Sequence, residues 1–364
     1  AGEEMRVNIA IRVDASNVMG TGHLVRCRTL ARALQERGAR IQFVCRAHPG
    51  NLIPELEAEG FPVSILPKPQ SDANPGEEVY CGWLGVSPER DAQETVEVLS
   101  TPVEWLIVDH YALGKEWETL CRVRATKIFA IDDIANRAHD CDVLLDQNYT
   151  RNPVERYKGL VPTSAECLLG PSYALLSPEY ITYRKQRAPH TGSVDKIFVF
   201  FGGADPENLT GRTLNALSNA SLGGPLQIDV VIGASNPNRK AIEALTNQLP
   251  YATLYNPRPH LADLMSKADL AIGAGGTTTW ERMALGLPSL VISIADNQIP
   301  ACKALAGENF IEYLGHGDRV SVVTIREAVE LISESPDKIL SLENRSKSLV
   351  DAQGVARTIK KIQN

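Results

Sequence analysis

The chain has 364 residues, 43% of them apolar and 22% charged, which is the balance of a soluble globular protein and more than one hydrophobic core usually serves. Two domains of ordinary size are expected. The net charge of −7, with no dense Lys/Arg stripe, argues against a nucleic-acid surface; a phosphate would have to be held locally, by backbone N–H groups and a few side chains.

Short β-branched runs alternate with longer amphipathic segments. Residues 7–13 read as a strand. Residues 24–37 read as a helix with Leu24, Cys27, Ala31 and Leu34 on one stripe, ended by Gly38. A strand at 41–45, a helix at 51–59 and a strand at 63–66 follow. Residues 67–82, with three prolines and two glycines, read as a loop. Ser87-Pro88 opens a helix to about residue 99. Strands come next at 105–108, 127–131 and 143–145. The pattern weakens between 170 and 193, where Pro171, Pro178, Pro189 and a polar run place the interdomain linker. A second series of strands then spans 196–201, 227–232, 252–255, 270–273 and 289–294, with helices between them. Residues 323–363 are mostly helical in period.

Repeated β-α-β alternation implies parallel sheets covered on both faces. The expectation is an α/β protein with Rossmann-like domains over 1–175 and 193–345 and a C-terminal helix at 346–364. In such sheets ligands bind outside the C-terminal ends of the strands, so motifs that follow strands carry most weight.

The seven cysteines include no C-x-x-C pair and are odd in number, which suits reduced thiols better than a disulfide framework. The first apolar run is short and interrupted by Asn8 and Arg12, unlike a secretory leader. No stretch approaches the roughly 20 apolar residues that span a bilayer. A cytoplasmic protein that does not engage membranes is expected.

Several places carry candidate chemistry. After the first strand come Asp14 and the loop Gly20-Thr21-Gly22-His23. The glycines let a ligand approach, and a histidine at a helix start suits a general base near neutral pH, with Asp14 able to orient its ring. A tight turn with a partly exposed histidine fits equally well. The pattern is not G-x-G-x-x-G, since Arg26 and Cys27 fill the later positions. Asp109-His110-Tyr111 ends another strand: Tyr111 either binds sugar or water, or packs beside a helix-capping Asp109. The pair Asp132-Asp133 has the same ambiguity. Gly202-Gly203-Ala204-Asp205 suits a phosphate or sugar, or a glycine turn with Asp205 as cap. Gly275-Gly276-Thr277-Thr278, opening a helix that carries Glu281, makes a nest of N–H donors for a diphosphate, with Glu281 placed for ribose hydroxyls. Thr278-x-x-Glu281 is also a capping box. Asn297 and Gln298 follow the next strand. Asp140-Cys141-Asp142 matches D-x-D but stands before a strand, at the wrong end for a metal–diphosphate site.

Arg12-Val-Asp-Ala-Ser with Gly20-Thr-Gly-His-Leu-Val-Arg26 resembles the N-terminal signature of the UDP-sugar hydrolases of pseudaminic acid biosynthesis. Further matches run in order over about residues 7 to 315: 108–111, 131–133, 141–148 ending in Asn148, 170–176, 201–205, 273–281 and 297–298. The loop 67–82 and the region from about 317 onward carry no match. The resemblance implies the GT-B architecture, two Rossmann-like domains facing an interdomain crevice. It implies cleavage of UDP-2,4-diacetamido-2,4,6-trideoxy-β-L-altropyranose to UDP and the free sugar, with no metal and no cofactor. His23 would be the catalytic base, with Asp14 and Tyr111 in its pocket. Gly20, Gly22, Arg26, Asn148, Gly203, Asp205, Asn297 and Gln298 would line the substrate. Gly275, Gly276, Thr277 and Thr278 would hold the diphosphate and Glu281 the ribose. The partner implied is a small-molecule UDP-sugar. Two other readings fit the same loops: a GT-B glycosyltransferase using a UDP-amino sugar, and a non-catalytic nucleotide-sugar-binding module.

Overall fold

The computed structural model describes residues 6–69 and 79–364, which fall into two compact units. The first comprises residues up to 148, 152–175 and 354–364, and the second 149–151 and 176–353. Residues 70–78 of the segment read as a loop lie outside the described residues.

The first unit runs β1 (Asn8–Val13), α1 (Gly22–Glu36), β2 (Arg40–Arg46), α2 (Ile53–Ala58), β3 (Val63–Leu66), α3 (Val79–Leu84), α4 (Pro88–Val98), β4 (Val103–Asp109), α5 (Lys115–Cys121), β5 (Ala125–Ile131), β6 (Val143–Asp146), α6 (Pro153–Tyr157) and β7 (Glu166–Leu169). Its strands form one parallel sheet in the order β3-β2-β1-β4-β5-β6-β7. The central strands are buried on both sides, which is why they read as unbroken apolar runs. On one face Leu24, Cys27, Leu30, Ala31 and Leu34 of α1 pack against Ile9, Ile11 and Phe43. On the other, Trp117, Leu106, Ile128 and Leu144 form a second cluster.

The second unit runs α7 (Pro178–Gln186), β8 (Lys196–Phe200), α8 (Leu209–Ser218), β9 (Gln227–Val231), α9 (Arg239–Asn247), β10 (Ala252–Tyr255), α10 (Ala262–Lys267), β11 (Leu270–Ala274), α11 (Thr278–Ala284), β12 (Ser289–Ser293), α12 (Ile299–Gly307), β13 (Glu312–His316), α13 (Val322–Ser333) and α14 (Pro336–Leu349). Its sheet is also parallel, in the order β10-β9-β8-β11-β12-β13. Both sheets therefore reverse direction once, next to their first strand: between β1 and β4 in the first, and between β8 and β11 in the second. Loops at such a reversal splay apart and leave room for a ligand.

Three expectations about elements need revision. The stretch read as a linker contains α7, which is anchored in the second unit. Arg184 of α7 donates to the carbonyls of Ala284 and Val350, both at 2.7 Å, and Arg187 donates to Ala268 at 2.9 Å. Part of the loop 67–82 is helix α3. The single C-terminal helix expected at 346–364 is broken at residues 350–353. α14 ends in the second unit, and α15 (Gly354–Gln363) returns to the first. There Ile359 and Ile362 join the core, and Trp105 Nε1 donates to the Ile362 carbonyl at 3.1 Å. Gly354 is required at that docking point, because a Cβ would come within 2.3 Å of the Ala174 carbonyl oxygen.

Candidate active site

In the first unit, β1 and β4 run side by side with Val13 opposite Asp109. The chain leaves β1 through a loop closed by Gly20, whose N–H donates to the Ser16 carbonyl at 2.8 Å. Gly20 has φ +80°, a left-handed conformation that glycine adopts without strain. It and Gly22 are exposed, and no side chain caps the start of α1. Backbone N–H groups at that end remain for a ligand or water.

His23, in the first turn of α1, is buried. Its Nδ1 lies 2.7 Å from Oδ1 of Asp109. An ionised carboxylate only accepts hydrogen bonds, so a neutral His23 carries its proton on Nδ1 and its lone pair on Nε2. Burial alone would raise the Asp109 pKa, but Arg26 and His23 outweigh it and hold the carboxyl well below the usual range. The carboxylate that orients His23 is thus Asp109, not Asp14. Nor does Asp109 cap a helix, since α5 begins after Gly114.

Asp14 is fully committed elsewhere. It accepts from Arg12 at 2.5 and 3.0 Å, from the Arg46 N–H at 2.8 Å and from His48 at 3.3 Å. Arg12 and Arg46 also share Asp91, which accepts from Trp117 as well. This buried ionic cluster ties the ends of β1 and β2 to α4 and α5. His110 borders it. Its Nδ1 accepts from the Ala112 N–H, and burial pushes its pKa down to about 3, so it is neutral.

Arg26 is likewise turned inward. It donates to both oxygens of Asp109, at 2.6 and 2.7 Å, and to both of Asp133, at 3.0 and 2.8 Å. With four such bonds and almost no exposure, it holds the two carboxylates rather than a substrate. Tyr111 donates its hydroxyl to Asp133 at 2.7 Å and meets the His23 ring edge-on at 4.5 Å. Its hydroxyl is therefore spoken for, and what it offers the site is its ring. The loop carrying Asp133 is braced by His139, bonded to Asp132 and Glu118 at 3.0 Å each. Burial would lower the His139 pKa, but these two acids raise it to about 9. Asn148 is half-buried and donates weakly to the Asp133 carbonyl at 3.4 Å. Asp140 and Asp142 of the D-x-D both pair with Arg122.

In the second unit the corresponding loops follow β8 and β11. After β8, Gly202 has φ +89°, and Gly203 accepts from the Ser235 hydroxyl at 3.0 Å. Asp205 is buried and serves the backbone of α8. It accepts from the N–H groups of Leu209 and Thr210 and from the Thr210 hydroxyl. The helix-end role accounts for both its oxygens, so it is not free to bind a substrate.

After β11, residues Gly275 to Thr278 are half-buried. The capping box that the sequence also allows here is not formed. No side chain caps α11, and the Thr278 hydroxyl instead accepts from Arg282 at 3.3 Å. Glycine is needed at 275, since a Cβ would meet Cys302 Sγ at 2.4 Å. Behind the loop Arg282 is 1% exposed and its Nε is unpartnered; among the described residues no carboxylate lies in salt-bridge range, although Glu281 is near enough to favour its charged form. Arg282 donates to the Ala274 carbonyl at 2.7 Å, and burial pushes its pKa down to about 10. A buried cation without a counter-ion is costly unless an anion joins it. Glu281 is half-exposed as a residue, but its carboxyl is shielded and hydrogen-bonded by Tyr180 of α7. Burial raises its pKa to about 7. Gln298 accepts from the Ile294 N–H at 2.9 Å, and its amide nitrogen lies beside Gly276; Asn297 is exposed.

Two Rossmann-like units, each with glycine-bearing loops at its strand reversal, are the architecture of GT-B proteins, and the chain has that fold. MurG of Acinetobacter baumannii superposes over 98% of this chain and 99% of its own, with TM-score 0.66 and 14% identity. Arabidopsis thaliana UGT89C1 complexed with UDP superposes over 99% and 100%, with TM-score 0.68 and 13% identity. In sequence, the chain is a relative of the UDP-2,4-diacetamido-2,4,6-trideoxy-β-L-altropyranose hydrolase of Campylobacter jejuni. The two are 26% identical over 310 residues, 84% of this chain and 99% of the relative. The spore coat polysaccharide biosynthesis protein SpsG of Bacillus subtilis is 25% identical over 359 residues, 96% of each. The resemblance read from the ordered motifs is borne out. No family model matches the chain. Among the described residues no helix is long and apolar enough to cross a membrane.

Proposed function

We propose that the protein hydrolyses UDP-2,4-diacetamido-2,4,6-trideoxy-β-L-altropyranose to UDP and the free sugar, by attack of water on the anomeric carbon with inversion. The observation that carries this reading is the buried His23–Asp109 pair at the exposed, uncapped start of α1. Nε2 of His23 takes a proton from water as the water oxygen bonds to C1. The C1–O bond breaks, and UDP leaves with its electron pair. Asp109 stabilises the imidazolium that forms, and Arg26, itself anchored on Asp133, holds Asp109 in place. Gly20 and Gly22 admit the sugar, with Asn148 at the border.

The second unit is assigned the nucleotide. The loop Gly275-Gly276-Thr277-Thr278 takes the diphosphate, with Arg282 as the positive charge behind it, and Glu281 takes the ribose hydroxyls. Gly203, Asn297 and Gln298 flank that loop. The leaving-group charge is thus assigned to backbone N–H groups and Arg282 rather than to a metal.

CalG4, the calicheamicin glycosyltransferase, superposes over 98% of this chain and 98% of its own, with TM-score 0.63 and 15% identity, and supports a second reading, transfer to an acceptor. An acceptor-free incubation with the UDP-sugar separates the two. Hydrolysis predicts UDP release without acceptor, abolished in His23→Ala while UDP still binds. Release that waits for an added sugar acceptor would establish transfer instead, and no release under either condition would leave a binding module.

A further inference from the structure

Tyr80 and Trp83 sit on α3, in a stretch that the motif resemblance does not reach. The helix is pinned by Leu84, fully buried in the cluster that contains Ala10, Val44, Leu66 and Ala92. Tyr80 and Trp83, three residues apart and so on one face of the turn, stay half-exposed. Their rings meet edge-on at 4.9 Å. Both also meet Tyr111, Tyr80 edge-on at 5.1 Å and Trp83 stacked at 5.8 Å with 29° between the planes. Tyr111 in turn touches His23. A continuous series of rings therefore leads from the proposed base to a half-exposed indole.

Trp83 lies nearer the surface than Trp105, Trp117 and Trp280, all of which are buried. Small-molecule sites combine such aromatic surface with a few fixed polar groups, here His23. Tyr111 is buried, with its hydroxyl committed to Asp133, and its ring backs Trp83 and Tyr80. The substrate class proposed above has an unusually apolar hexose. Acetamido groups replace the hydroxyls at C2 and C4 and C6 is a methyl, and the three methyl groups match aromatic faces better than hydroxyl groups would.

We propose that Trp83 and Tyr80, backed by the buried ring of Tyr111, form the wall that packs against the methyl groups of the sugar and selects a diacetamido-trideoxy hexose over hydroxylated ones. The inference rests on the proposed function. Single methyl groups in apolar sites change kcat/KM by roughly 10–200-fold, which sets the scale of selection.

The test compares the full-length protein with Trp83→Leu and Trp83→Phe. The substrates are UDP-2,4-diacetamido-2,4,6-trideoxy-β-L-altropyranose and UDP-N-acetylglucosamine. Trp83→Leu is expected to lose roughly 10–200-fold in kcat/KM on the trideoxy substrate, mostly through KM, and to lose little on UDP-N-acetylglucosamine. Trp83→Phe restores most of the loss, and inhibition by UDP alone is unchanged in both variants. Wild-type discrimination retained by Trp83→Leu would overturn the wall. If the wild type releases no UDP, the hydrolase reading fails, and equilibrium binding of the same ligands decides the wall separately. Tighter binding of the trideoxy UDP-sugar than of UDP, lost in Trp83→Leu, supports it; equal affinities in wild type and variant overturn it.

Discussion

Asp109→Asn isolates the group on which the proposed chemistry turns. The change keeps the shape and removes one charge from a buried set in which Asp109 meets His23 at 2.7 Å and Arg26 at 2.6 and 2.7 Å. Arg26 keeps its two bonds to Asp133, so the cation is not orphaned. The stability loss should approach the roughly 1.5–3 kcal/mol of a charged hydrogen bond, below the 3–5 kcal/mol of a stripped buried pair. The catalytic loss should be larger. An asparagine amide that donates to Nδ1 forces the proton onto Nε2, and the base is gone. One that accepts instead gives the imidazolium no counter-charge. A positioned general base contributes about 10²–10⁴ in rate, so kcat should fall by that factor. UDP inhibition should stay within about twofold, because the nucleotide is assigned to residues that share no partner with Asp109. Acceptor-free UDP release, UDP titration and urea unfolding measure the three quantities. A folded Asp109→Asn protein with wild-type kcat would refute the assignment of His23 as the base.

Other outcomes follow from the same contacts. The Glu281 carboxyl, raised to about 7, must be ionised to accept from two ribose hydroxyls. UDP affinity is therefore expected to weaken as pH falls through about 7, and titration of Glu281→Gln should show weaker, pH-independent binding. Arg282→Met should weaken UDP binding roughly tenfold by removing the charge behind the loop while leaving uridine binding almost intact; equal losses for UDP and uridine would mean a purely structural role. His139 holds its extra proton up to about pH 9 when folded, whereas an unfolded histidine loses it near 6.5. Its stabilisation is therefore fully present below about pH 6.5 and is lost as pH rises through about 9. Urea unfolding across that range should show the decline, and His139→Asn should flatten it.

The alternation of strands and helices was legible because parallel strands buried on both faces are apolar runs of fixed length. β7 (Glu-Cys-Leu-Leu) and β13 (Glu-Tyr-Leu-Gly-His) were not, being short, at the sheet edges and opened by a charge. α7 was hidden by its leading Pro178 and by Arg184 and Arg187, which look solvent-facing in sequence but reach buried carbonyls of the second unit. His23 could be read from its glycine loop. Its partner could not, because Asp14 and Asp109 end neighbouring strands and only their hydrogen bonds separate them. Asp109 stands 86 positions from His23, and the pairing of β1 with β4 closes that distance. Arg26 shared a motif with His23 and was assigned to the substrate, yet the next positions of a helix face inward as often as out. Asp205 fits either a substrate contact or a helix cap in sequence, and the structure gives it the helix-end part. Arg282 carried no signal of its own. Its burial outside salt-bridge range of every described carboxylate exists only in three dimensions.

The central claim is that water attacks the sugar carbon and UDP departs intact. Incubation of the protein with UDP-2,4-diacetamido-2,4,6-trideoxy-β-L-altropyranose in ¹⁸O-water, without acceptor, tests it directly. One ¹⁸O is expected in the C1 hydroxyl of the released sugar and none in UDP; ¹⁸O in the terminal phosphate of UDP would rule out attack at carbon.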